Sequence, residues 1–236
     1  MIRFVEETGS TNADLAAALR SGNPPSEGEW LVARRQTAGR GRQGREWFDG
    51  EGNFMGSTVV ALRKDDPPPA TLSFVAALAL HDVVFELLSS LVEPKLKWPN
   101  DLLIEGGKVS GILLEMVGNF VVLGIGVNLV KAPPIPDRRT CAIADYVDPP
   151  ELEGFSEALA IAVRERLADW RSIGLRETLT EFTICSLHWL GEVTTVHDSD
   201  GSRITGTFAG LEQSDGALRL RLADGSERVI RAGDIE

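Results

Sequence analysis

Two tight turns close together in the chain constrain the core more than any other feature. Gly106-Gly107 separates the apolar run Leu102-Leu103-Ile104 from Val109 to Met116. Gly118-Asn119 separates that second run from Phe120 to Val127. Glycine and asparagine accept the backbone angles of a short hairpin turn, so the three runs read as adjacent antiparallel strands. Further strands are read at Ile2 to Glu6, Trp30 to Arg34 and Phe54 to Leu62. A helix follows the turn and N-cap residues Thr8 to Asn12 and runs through Leu19. After the break at Pro67-Pro68-Pro69, helical spacing predicts a long buried helix over Ala70 to Leu91, with others over Phe155 to Leu167 and Arg176 to Leu187. Lys131 to Pro150 is a proline-rich connection.

After Gly191 the texture changes. Val193 to Val196, Arg203 to Phe208, Ala217 to Leu222 and Arg228 to Ile230 are short strands. Asp200-Gly201, Asp215-Gly216 and Asp224-Gly225 supply the turns between them. This is the pattern of a small β-barrel or β-roll. A boundary near Trp189 divides the chain into 1–188 and 189–236, which suits a length of 236 residues.

The net charge is −11. That excess argues against general nucleic-acid binding and against an anionic membrane surface, both of which need clustered cations. Two separate cysteines, Cys141 and Cys185, and three histidines, His81, His188 and His197, make a zinc site a poor expectation. The sparse cysteines and the lack of a leader at Met1 to Glu7 predict a cytoplasmic protein. No run of about 20 uninterrupted apolar residues exists, so no membrane span is predicted.

Five short constellations carry the chemistry. Gly39-Arg40-Gly41-Arg42-Gln43-Gly44-Arg45 interleaves permanently charged forks with glycines that let backbone approach a ligand. It describes a loop that wraps an anion, and its arginines repel one another until an anion arrives. Taken alone, it equally describes a solvated basic loop or an Arg-Gly nucleic-acid tract. Lys97-Trp98-Pro99-Asn100-Asp101 presents a cation and a carboxylate, a pairing suited to nucleotide phosphate and Mg²⁺, or an ordinary polar turn. Lys108 with Gly111 marks a strand that a ligand or a bulge approaches closely. Gly124-Ile125-Gly126-Val127-Asn128 strips side chains from one strand face and so floors a flat pocket, or twists the strand. Ser10-Thr11-Asn12 is an N-cap whose hydroxyls can also face a ligand.

The order of these motifs resembles the biotin protein ligases. The resemblance rests on Ser10-Thr11-Asn12, on Gln36 through Gly44, on Lys97-Trp98-Pro99-Asn100-Asp101, on Lys108 with Gly111-Ile112-Leu113, and on Gly124-Ile125-Gly126 with Asn128. Gly206 to Gly210 and Arg231 to Ile235 are similar to that family's small C-terminal domain. The resemblance implies an α+β fold. A mixed sheet related to class II aminoacyl-tRNA synthetases is followed by an SH3-like β-barrel. It implies that biotin and ATP give biotinyl-5′-AMP with Mg²⁺, and that biotin then passes to a lysine of a biotin carboxyl carrier protein. A monomer or homodimer is expected, with no nucleic acid and no membrane as partner.

By the same resemblance, Arg40, Arg42 and Lys108 hold the biotin carboxylate and the α-phosphate, and Asp101 is the Mg²⁺ ligand with catalytic weight. Ser10, Thr11, Asn12, Gln36, Gly39, Gly111 and Gly124 join Arg40 and Lys108 in the biotin site. Arg45, Trp47, Lys97, Asn100 and Asn128 join Arg42 in the ATP site, and Leu123 flanks the ligand. An N-terminal DNA-binding domain, common in bacterial members, has no room ahead of Ser10, and Gln43 stands where an arginine is common. A lipoate ligase or acyltransferase of the same fold is one competing reading. A non-enzymatic regulator that binds biotinyl-AMP is the other.

Overall fold

The computed structural model describes the whole chain except residues 23, 49, 90, 137, 199 and 200. Seven strands form the first sheet: β1 (Ile2–Thr8), β2 (Trp30–Gln36), β3 (Phe54–Ala61), β4 (Lys95–Lys97), β5 (Asp101–Ile104), β6 (Gly107–Val117) and β7 (Phe120–Val127). Their spatial order is β1-β2-β3-β7-β6-β5-β4. β1 and β2 run parallel and every other neighbour is antiparallel, so the sheet is mixed. The Gly118-Asn119 turn forms the β6-β7 hairpin as predicted, whereas the β5-β6 hairpin turns on Glu105-Gly106, both at positive φ, one residue ahead of the predicted Gly106-Gly107, because Gly107 already pairs with Ile104.

Alternation along the strands separates two cores. Leu31, Val59 and Val122 face α1 (Thr11–Arg20) through Leu15 and Ala16. Trp30, Val32 and Leu123 face the other way, into the main core under α2 (Leu72–Leu88). α3 (Leu152–Ser172) and α4 (Leu175–Ile184) pack on α2 in turn. Pro69–Leu88, with a mean hydropathy of 1.7, is the one segment among the described residues long and apolar enough to cross a membrane. Its apolar character comes from the core, where Leu72, Leu80, Val84 and Leu88 are fully buried.

A second, five-stranded antiparallel sheet follows: β8 (Val193–Asp198), β9 (Arg203–Leu211), β10 (Leu218–Arg221), β11 (Glu227–Ile230) and β12 (Gly233–Ile235), in the order β11-β10-β9-β8-β12. Its apolar face shares the main core: Phe208, Leu218 and Ile230 join Leu96, Trp98 and Phe182 in one cluster. Asp200, half of one predicted turn, lies outside the described residues.

Two strands were not predicted. β4 and β12 have three residues each, too few for a period to register, and they form because a neighbour offers its edge. The fourth helix also stops at Ile184, short of the predicted Leu187. Leu187 instead donates its N–H to the Leu96 carbonyl at 2.7 Å, which draws the chain along β4.

Candidate active site

Gly111 of β6 and Gly126 of β7 are register partners, so two side chains are missing side by side from one face of the sheet. The Trp47 indole lies on that bare patch. A Cβ on Gly126 would sit 2.2 Å from Trp47 Cε2, and one on Gly111 would sit 3.1 Å from Cζ3. Trp47 therefore covers the floor itself, and its buried Nε1 has no hydrogen-bond partner among the described residues. Leu123 is fully buried on the opposite sheet face and does not line the cavity; this corrects its expected place beside the ligand.

At one end of the cavity, neutral polar groups are linked in a chain. Gln36 Oε1 accepts from the Thr11 backbone N–H at 2.7 Å and from its hydroxyl at 3.1 Å. The Thr11 and Ser57 hydroxyls are 2.6 Å apart, and Ser57 donates to Asn12 Oδ1 at 2.6 Å. Asn12 donates in turn to Glu115 at 2.7 Å. Gly124 is needed here, since a Cβ would lie 2.2 Å from Asn12 Oδ1. Ser10 stands at the N-cap position of α1 but makes no side-chain cap bond. Its hydroxyl lines the cavity instead, contrary to a purely capping role.

The other end is cationic. The Gly39–Arg45 segment folds back as a flap, with the Trp47 N–H on the Gly39 carbonyl and the Gly41 N–H on the Arg45 carbonyl. At its tip Gln43 and Gly44 both take positive φ, 57° and 73°. Arg42 donates to Asn100 at 2.9 Å, to the Gly233 carbonyl at 3.3 Å and to Asp234 at 3.4 Å. Arg45 reaches the same Asp234 carboxylate at 3.0 Å. The expected repulsion among loop arginines is thus relieved by a carboxylate from the second sheet.

Burial holds the Arg42 guanidinium below its ordinary value, an effect Asp234 and Asp101 only partly offset. Burial would raise the Asp234 carboxyl, but Arg45 and Arg42 outweigh it and hold it below the usual range. Lys108 donates to Asp101 at 2.5 Å, and both are mostly buried. Asn100 anchors the segment by donating to the Ile112 carbonyl at 2.7 Å.

One cavity gathers Ser10, Thr11, Asn12, Gln36, Gly111 and Gly124 with Arg40, Arg42, Arg45, Trp47, Asn100, Asp101 and Lys108. An adjoining cavity adds Gly39 and Asn128 and shares Gln36, Arg40, Trp47 and Lys108 with the first. Asn128 is partly structural: it donates to the Cys141 carbonyl at 3.1 Å and leaves Oδ1 buried without a partner among the described residues. Lys97 is outside the lining of both; it pairs in register with Asp101, and burial pushes its ammonium down. Among the described residues no group of three His, Cys, Asp or Glu side chains could hold a metal. Asp101 is a single carboxylate tied to Lys108. That suits a Mg²⁺ ion carried in by a nucleotide, whose phosphates supply most ligands, rather than a resident metal.

Ser57, Glu115, Arg138 and Asp234 belong to the site and were not singled out from sequence. Ser57 left a trace, as one of two adjacent hydroxyls, with Thr58, in an otherwise apolar strand. Asp234 lay within the Arg231 to Ile235 segment but had no role read for it, and Glu115 and Arg138 left no local trace.

Comparison with known proteins gives the family. The model of the Biotin/lipoate A/B protein ligase family matches residues 4–129, and that of the Biotin protein ligase C terminal domain matches residues 190–236. The biotin--[acetyl-CoA-carboxylase] ligase of Mycobacterium tuberculosis is 35% identical over 98% of this chain and 86% of its own length. A 135-residue stretch is 47% identical to the enzyme of that name from Paracoccus denitrificans, spanning 55% of each protein. The biotin protein ligase of Aquifex aeolicus in complex with biotin and ATP superposes with a TM-score of 0.84 at 26% identity, covering 100% of this chain and 97% of that one. With a glycine floor, a polar end, an arginine flap and both domain matches in place, the chain belongs to the biotin/lipoate protein ligase family as a biotin protein ligase.

Proposed function

We propose that the chain joins biotin to ATP and then transfers the biotinyl group to a lysine of a biotin carboxyl carrier protein, that of acetyl-CoA carboxylase or a related carboxylase. In the first step a biotin carboxylate oxygen attacks the α-phosphorus. The bond from the α-phosphorus to the bridging oxygen breaks, and pyrophosphate leaves with both electrons. In the second step the lysine amine, having lost its proton, attacks the acyl carbon and AMP leaves, giving an amide. Two anions must meet in the first step, so cations between them carry the catalysis. Arg40, Arg42 and Lys108 supply those cations at the carboxylate and α-phosphate, and each charged hydrogen bond contributes ~1.5–3 kcal/mol. Arg45, with Lys97 behind it, serves the outer phosphates. Asp101, which accepts from Lys108, would hold the Mg²⁺ that arrives with ATP, and the ion would offset phosphate charge there.

The observation that carries the reading is that a neutral polar network and a cationic flap bound one cavity. Ser10, Thr11, Asn12 and Gln36 suit the ureido ring, which offers two N–H donors and a carbonyl. An apolar dithiolane ring would leave those groups unpaired, which disfavours lipoate. A covalent enzyme intermediate is unnecessary; burial pushes the Cys141 thiol up to about 11, which keeps it protonated at neutral pH.

The test supplies purified protein with ATP, Mg²⁺, labelled biotin and a carrier domain, where transfer of label to the carrier is expected. No transfer would overturn the reading, and binding of biotinyl-AMP without turnover would favour the regulator. Titration with lipoate and biotin separates the remaining alternative, since tighter lipoate binding would favour it.

A further inference from the structure

Five cations line the cavity over the glycine floor, Arg40, Arg42, Arg45, Lys108 and Arg138, against two carboxylates, Glu46 and Asp101. This is a concentrated positive site in a chain of net charge −11. Four of the five stand in the motifs that pointed to the function. Arg138 stands in none of them; it comes from the proline-rich connection after β7.

Backbone contacts tie Arg138 and the two residues after it to their neighbours. Its N–H donates to the Ile135 carbonyl at 3.3 Å. One residue on, the Arg139 carbonyl accepts the Lys108 N–H at 2.9 Å, and Thr140 bridges to Lys108. The connection therefore runs alongside the start of β6 and presents Arg138 next to the cavity's lysine. Three of the five cations have internal partners: Lys108 has Asp101, while Arg42 and Arg45 have Asp234. Among the described residues the half-buried Arg138 guanidinium has no hydrogen bond or ion pair. A partly desolvated guanidinium without a partner regains its lost hydration best from an anion, and phosphate matches its fork. Its field also helps hold the Asp234 carboxyl and the Lys97 ammonium below their ordinary values, which places it toward the Arg45 end.

We propose that Arg138 is a further phosphate-binding residue, gripping the β- and γ-phosphates of the nucleotide, and the pyrophosphate they become, from a segment other than the flap. The proposal rests on the reading of this cavity as the ATP site. Calorimetric titration with inorganic pyrophosphate compares the wild type, Arg138→Gln and Arg138→Lys. Arg138→Gln is expected to weaken pyrophosphate binding about tenfold, the scale of one charged hydrogen bond, with Arg138→Lys recovering part of it. In the adenylation assay the same variant should raise the KM for ATP by a similar factor, while the Kd for biotin moves much less. A merely structural role would shift all of these together.

Equal pyrophosphate affinity in wild type and Arg138→Gln would overturn the proposal, as would a wild type that binds no pyrophosphate. A wild type whose pyrophosphate binding depends on Arg138 but that never adenylates biotin would overturn the proposed function and leave this inference standing.

Discussion

Arg42 on the flap and Asp234 of the second sheet form an ion pair of 3.4 Å across 192 positions of chain. The same carboxylate holds Arg45 at 3.0 Å. An internal anion thus occupies the arginines that the proposed reaction needs for phosphate, so the flap is tethered before any ligand arrives. Asp234→Asn should release it. Trypsin cuts after arginine, so digestion within 40–45 of ligand-free protein is expected to accelerate several-fold, without a matching loss of Tm; unchanged cutting would mean the pair does not hold the flap. Loosening of this kind is local opening rather than global unfolding.

Gly126→Ala tests the floor. The added Cβ would lie 2.2 Å from the Trp47 indole, and an indole is not the flexible end of a side chain. The ring must leave its seat, so Trp47 fluorescence should shift and biotin adenylation should fall by more than about tenfold. The β6-β7 pairing should survive, because the backbone there is extended and accepts alanine. Unaltered kinetics would show that the indole's position is irrelevant.

Arg40→Ala separates binding from folding. The Arg40 side chain has no partner among the described residues, and only its backbone bridges to Glu46. Its loss should leave Tm nearly unchanged, yet speed release of biotinyl-5′-AMP by about tenfold or more, as removal of one charged contact implies. An unchanged off-rate measured by stopped flow would remove Arg40 from the site.

His188 gives a pH signature. Burial holds its imidazole below the ordinary value of 6.5, and Glu192, 3.3 Å from Nδ1, only partly offsets this. The folded protein therefore resists a proton that the unfolded chain accepts. Its contribution to stability is complete above pH 6.5 and is lost as pH falls below that toward the folded value. His188→Gln should flatten the fall of Tm across that window; an equally steep fall would assign it to other groups.

Much of the site was legible because its parts are local. A Gly-x-Gly spacing strips a strand face whatever the rest of the fold does, and Gly124 and Gly126 are both used that way. Helix α2 and the two hairpins likewise follow from period and turn chemistry alone. What sequence did not disclose lies in pairings between distant segments. Asp234 belongs to an edge strand of three residues, and its importance appears only once the flap is folded beside it. Glu115 looks like an outward strand residue until Asn12, 103 positions away, arrives to donate to it. Lys97 is a third case: as the register partner of Asp101 it shares that residue's sheet face, yet its side chain stays outside the cavity lining, which adjacency in sequence could not disclose.

The Trp98 indole N–H donates to the Gly216 carbonyl at 3.1 Å, in the turn before β10. Gly216 in turn leaves no space above Phe74, since a Cβ there would stand 2.2 Å from Cε2. The small sheet is therefore wedged against the short segment that carries Asn100 and Asp101, and a tilt of one would lever the other. Anyone grafting a foreign C-terminal module onto this scaffold would have to reproduce that bare carbonyl corner first, or inherit a displaced Asn100 and Asp101.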